Sequence, residues 1–120
     1  MRKFTDRDDF SYLNGCTLTR VSIDRYQVVF LFAEGYQVLL EYALEYFHPN
    51  DEEGLRYDIQ AGCGAVWFHE PLEQKISRVS AAETSVDLLF EGGAKVRILT
   101  DEGPHESGLI TGPGERHCAF

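Results

Sequence analysis

Two stretches of the chain carry the same hydrophobic pattern. Val28 to Val38 reads VVFLFAEGYQV and Val86 to Val96 reads VDLLFEGGAKV. Each is an apolar run, a short polar break ending in glycine, and a second run that alternates. Alternation with a period of two is the mark of a half-buried strand, and a three-residue connection closed by glycine suits a β-hairpin. Gly35 and Gly93 are therefore expected at positive φ, where glycine is at no steric disadvantage.

The likeness extends beyond the hairpins. Leu18 aligns with Ile76, 58 positions on, and the offset holds without gaps to Leu40 and Ile98. Arg20, Val21, Ser22, Val28, Leu31, Phe32, Gly35 and Val38 recur as Arg78, Val79, Ser80, Val86, Leu89, Phe90, Gly93 and Val96. A fixed period of this kind reads as a duplicated supersecondary unit, about 14–43 and 72–101, within a single domain spanning 1–120. Two copies are too few for a solenoid. They suffice for two halves that bury their apolar faces on each other.

Along the chain, strands are expected at Cys16–Ile23, Tyr26–Phe32 and Tyr36–Tyr42. Ala43–Phe47 either continues the third strand or forms a helical turn. His48–Gly54 is a loop, and Leu55–Phe68 is irregular around Ala61-Gly62-Cys63-Gly64, with Ala65–Phe68 apolar and buried. The second unit gives strands near Lys75–Ala81, Ser85–Phe90 and Ala94–Leu99. The segment after it holds one or two short strands between glycine-proline turns. The expected fold is all-β and mainly antiparallel: two related three-stranded meanders packed as a sandwich or partly open barrel, with at most one short helix.

Alternation also assigns faces. Val28, Phe30, Phe32, Val38 and Leu40 share the inner face, as do Val86, Leu88, Phe90, Val96 and Ile98. On the outer face the units differ. The second has Asp87 and Arg97, whereas the first has Val29 and Leu39, with Leu31 alongside. An apolar outer face needs a cover. Either the 55–68 segment or the C-terminal tail lies over it, or Val29, Leu31 and Leu39 form an interface, with a homodimer as the expected partner arrangement.

Charge narrows the partners. The net charge is −9, with six basic and eleven acidic residues in 1–58 and five and nine in 59–120. Such a chain repels phosphate backbones and anionic lipid, so neither nucleic acid nor membrane is expected. A basic protein is a possible second partner. The N-terminus shows no secretory pattern, and Cys16, Cys63 and Cys118 form no disulfide framework, which together point to the cytoplasm.

Candidate chemistry gathers at Asp101–Ser107, where Asp101, His105 and Glu106 are of the types used in acid–base work or ligand binding. Neighbours in one turn mostly point apart, so a solvated turn is the competing reading. Cys63, His69, His117 and Cys118 are zinc-type residues without zinc-type spacing, and no metal is expected. Gly92-Gly93 joins two strands rather than leading a helix, so it is no phosphate loop. Neither a nucleophile elbow nor a dinucleotide fingerprint is present, and no cofactor is expected.

Gly15, Leu18, Val21, Phe32-Ala33-Glu34-Gly35, Glu41, Phe90-Glu91-Gly92-Gly93 and His105-Glu106-Ser107-Gly108 together are similar to a family of short bacterial proteins of unknown function, the DUF6188 type. The resemblance runs from about Asn14 to Thr111. His105 stands in place of an aromatic residue and Gly108 in place of a tryptophan, leaving Glu106 as the best-matched position of that turn. The resemblance implies a bacterial source and a compact β domain, and supplies no activity. The functional expectation is a non-catalytic interaction module, an adaptor or an acidic immunity-type neutraliser of a basic partner. The alternative is a small-molecule-binding protein or enzyme that uses the Asp101–Ser107 turn.

Overall fold

The computed structural model describes residues 10–62, 64, 68–100, 107–113 and 117–120. Among these residues one turn of 3-10 helix, Ser11–Leu13, precedes ten strands: β1 Leu18–Ile23, β2 Val28–Phe32, β3 Gln37–Leu40, β4 Ala43–Phe47, β5 Leu55–Asp58, β6 Ile76–Ala81, β7 Ser85–Phe90, β8 Lys95–Leu99, β9 Gly108–Thr111 and β10 His117–Ala119. They form two open antiparallel sheets, in the orders β1-β2-β3-β9-β10 and β5-β4-β8-β7-β6. The fold is thus a sandwich and not a closed barrel.

Each expected meander is present, and each is widened by two strands that arrive from the other half. β3 stops at Leu40, the chain bends at Glu41-Tyr42, and β4 crosses to pair with β8. In return β9 pairs with β3. Ala43–Phe47 is therefore a strand, but of the opposite sheet, and neither the helical turn nor the simple continuation describes it. Its lack of alternation follows from its place. Leu44 and Tyr46 point into the core, while Phe47 on the outer side is also buried. Lys95 Nζ and the Arg97 guanidinium cover that ring at 4.1 and 5.1 Å from its centroid.

The inner face is as expected from alternation. Val28, Phe30, Val38, Val86, Leu88, Val96 and Ile98 have no solvent exposure, and Leu13, Ile59, Phe68, Ile110 and Phe120 join them in one core. A fully buried aliphatic or aromatic side chain contributes about 1.5–3 kcal/mol relative to exposure, so these two faces dominate the stability of the sandwich.

The 58-residue offset also relates the hydrogen bonds. Leu18 N–H donates to Gln74 O and Ile76 N–H to Cys16 O; Gly15 N–H donates to Ile76 O and Glu73 N–H to Leu18 O. Thr17 and Lys75, each the counterpart of the other, face one another as an antiparallel bridge. An approximate two-fold therefore passes through that bridge and stitches the two sheets at the starts of β1 and β6. Both strands carry a register shift at the same place, between Leu18 and Arg20 and between Ile76 and Arg78.

The hairpin glycines have φ of 96° at Gly35 and 99° at Gly93. A Cβ at Gly35 would lie 3.1 Å from Pro113 Cγ, and one at Gly93 would lie 3.2 Å from Pro49 Cβ. Pro113 follows β9 and Pro49 follows β4. Each turn is thus capped by a proline carried over with the exchanged strand.

Candidate functional site

The outer face of the first sheet is built by register. Ser22 stands opposite Val29, Val29 opposite Leu39, Leu39 opposite Leu109, and Leu109 opposite Ala119. A single row thus crosses all five strands, and its three central residues are large and apolar. Val29, Leu31, Leu39 and Leu109 are each partly exposed. Leu109 and Ala119 lie outside the repeated stretch, so alternation within the hairpin gave no sign of them.

The equivalent row of the second sheet is Ser80, Asp87, Arg97, Glu45 and Arg56. Arg97 grips Asp87 with two parallel hydrogen bonds, Nε to Oδ1 at 2.9 Å and Nη2 to Oδ2 at 3.2 Å. That hydrogen bond and the carboxylate's charge hold the Arg97 pKa above its usual value, against the opposing effect of burial. One sheet therefore shows water a row of charges, and the other shows it a row of aliphatic side chains.

The two internal covers expected for this face lie elsewhere in their described parts. β5 pairs with β4 in the second sheet, and Ile59 and Phe68 belong to the core between the sheets. β9 and β10 extend the first sheet in its own plane. They widen the apolar face instead of lying over it.

A second constellation brings together residues far apart in sequence. Tyr46, near the end of β4, donates its hydroxyl to Glu70 Oε1 at 2.7 Å, and His48 Nδ1 lies 2.5 Å from the same oxygen. An ionised carboxylate only accepts, so His48 carries a proton on Nδ1. The His48 ring packs edge-on against Tyr46, which meets Phe68 in the same way, with centroids 5.3 and 6.0 Å apart. The hydrogen bond from Tyr46 holds the Glu70 pKa below its ordinary value; burial opposes this, and His48 and His69 reinforce it. Burial first, then Glu70, pushes the Tyr46 phenol well up.

The sign of the pH effect follows from the lowered Glu70 pKa. Its ionised form is favoured in the fold, so its contribution is present above the ordinary value of 4.5 and is lost as pH falls through the lower folded value. Glu70→Gln keeps an acceptor oxygen and removes the charge. Urea titrations at several pH values should show the wild type losing stability below about pH 4.5 more steeply than the variant. Parallel acid limbs would show that Glu70 titrates alike in the folded and unfolded chains.

Asp101, His105 and Glu106 lie outside the described residues, as do Cys63 and Trp67. Cys16 is buried, with its thiol directed at Tyr12 O. Among the described residues no group of three histidine, cysteine or carboxylate side chains stands together as a metal site requires. No helix among them is long and apolar enough to cross a membrane. Compared with known proteins, the chain matches no family model, no curated protein and no solved structure.

Proposed function

We propose that the chain is a non-catalytic protein-interaction module of the cytosol that meets a second copy of itself with the outer face of its first sheet. The observation that carries this reading is the contrast between two equivalent rows: Val29, Leu39 and Leu109 in one sheet, Asp87, Arg97 and Glu45 in the other. Net charge adds to it. Two chains of −9 repel each other over most of their surfaces, and the Ser22 to Ala119 row contains no carboxylate. The acidic remainder of the surface suits a basic protein as a further partner, which is the adaptor or neutraliser role. The alternative, a small-molecule site at the Asp101–Ser107 turn, rests on Asp101, His105 and Glu106, which lie outside the described residues.

The fold supplies its own test. Val29 and Leu39 stand directly opposite each other, as Asp87 and Arg97 do. Val29→Asp with Leu39→Arg therefore transplants an ion pair that the same framework already holds. The double variant is expected to keep its far-ultraviolet circular dichroism and to sediment at half the wild-type mass. Burial of such side chains contributes about 1.5–3 kcal/mol each before association costs are subtracted, so a weakening of 100-fold or more (roughly 2.7 kcal/mol) is expected. An unchanged mass rejects the face as the contact. A variant that unfolds shows instead that the face is internal.

A further inference from the structure

The free edges of the two sheets are not equivalent. Asp24 N–H donates to Gln27 O at 2.8 Å and closes the β1–β2 hairpin. Bonded and non-bonded pairs alternate away from such a closure. Ser22 therefore bonds to β2, while Val21 and Ile23 turn their N–H and C=O groups out of the sheet. The second hairpin closes in the same way, with Ala82 N–H donating to Ser85 O at 2.8 Å, and Val79 is the counterpart of Val21.

From that point the halves diverge. Val79 N–H donates to Asn14 Oδ1 at 3.0 Å, so the β6 edge is blocked by a side chain from before β1. The counterpart of Asn14 is Leu72, which offers no acceptor and packs against the core. Near the open edge Ile23 is 50% exposed and Tyr26 65%. Their counterparts beside β6 are Ala81 and Thr84. Blunting of an exposed edge is the usual protection against pairing; among the described residues β6 has it and β1 does not.

We propose that β1 pairs antiparallel with β1 of a second copy, about a two-fold through Ser22, joining two first sheets into one sheet of ten strands. Two separate features meet in that register. Val21 stands opposite Ile23 of the second copy, and the reverse, so all four outward N–H groups find outward carbonyls. Arg20 then stands opposite Asp24 of the second copy, and the reverse, giving two cross-strand pairs of opposite charge. Arg20 and Asp24 are both exposed. Asp24 Oδ2 is steadied by Gln27 Nε2 at 3.1 Å. Among the described residues no carboxylate of its own chain pairs with Arg20. The same register on β6 would set Arg78 opposite Ala82, with no counter-charge. This contact is on β1, separate from the face on β2, β3 and β9, and it would place two of those apolar faces side by side.

Sedimentation of the Val29→Asp/Leu39→Arg chain isolates the edge contact. At about 50 micromolar, enough to fill a contact of low micromolar affinity, this chain is expected to be a dimer. Adding Arg20→Asp sets acid against acid twice and should raise the dissociation constant at least about tenfold. Adding Asp24→Arg on top restores opposite charges and the dimer. Ile23→Pro removes an N–H that the β1–β2 ladder does not use, so it should give a folded monomer. Arg78→Asp changes the net charge equally and should leave the dimer intact. A monomer in the starting background overturns the proposal, as does a charge swap that fails to restore association, or Arg78→Asp acting as strongly as Arg20→Asp. Failure of the face reading looks different: wild type and Val29→Asp/Leu39→Arg then sediment alike.

Discussion

Gly108→Ala is expected to destabilise the protein by about 3 kcal/mol or more, the upper range for overpacking. Gly108 opens β9 opposite Leu40, on the inward-facing row. A Cβ there would lie 2.5 Å from Leu39 O and 2.5 Å from Phe120 Cζ. The Phe120 ring already fills the space that a side chain at 108 would take, and it is buried. A ring can turn aside, but a backbone carbonyl in the middle of a ladder cannot. Phe120→Leu in the Gly108→Ala background should therefore recover only part of the loss. Thermal unfolding would show a fall of roughly 10 °C for that energy in a chain of this size. Hydrogen exchange should rise first in β9 and β10, because β3 holds them through this register. An alanine variant within 1 °C of the wild type would place β9 differently against β3.

What the chain disclosed in advance divides along physical lines. Alternation and turn chemistry are local, and they located the two hairpins, their inner faces and the positive φ of Gly35 and Gly93. The exchange of β4 and β9 depends on which distant strand each one meets, and no local signal encodes that. Ala43–Phe47 was ambiguous for a specific reason. Its outer residues Ala43 and Phe47 are buried, Phe47 under Lys95 and Arg97, so only Glu45 marks the outer face as polar and the period of two is lost. Tyr46, His48 and Glu70 were invisible as a group, since 22 positions separate the histidine from the glutamate. Within the face on the first sheet, Val29 and Leu39 were legible because the second unit shows their charged equivalents Asp87 and Arg97, and Leu31, whose counterpart is Leu89, because alternation sets it on the same face. Leu109 was not, because it arrives with the exchanged strand.

Gly35→Val and Gly93→Val should each cost about 2 kcal/mol or more, and the cost should have two separable parts. The first is conformational, since a β-branched residue at φ near 96° or 99° is strained whatever surrounds it. The second is a contact with the other half of the molecule, Pro113 against position 35 and Pro49 against position 93. A double-mutant cycle separates them. Pro113→Ala in the Gly35→Val chain should return the contact part and leave the conformational part; Pro49→Ala should do the same for Gly93→Val. The crossed pairs, Pro49→Ala with Gly35→Val and Pro113→Ala with Gly93→Val, should be additive, because each proline touches only the turn reached by its own exchanged strand. Urea midpoints would measure all of these. Coupling confined to the matched pairs ties each hairpin to the strand that crossed over to it. Additivity in matched and crossed pairs alike would mean that the prolines do not press on the turns, and midpoints unmoved by either valine would put the hairpin register itself in error.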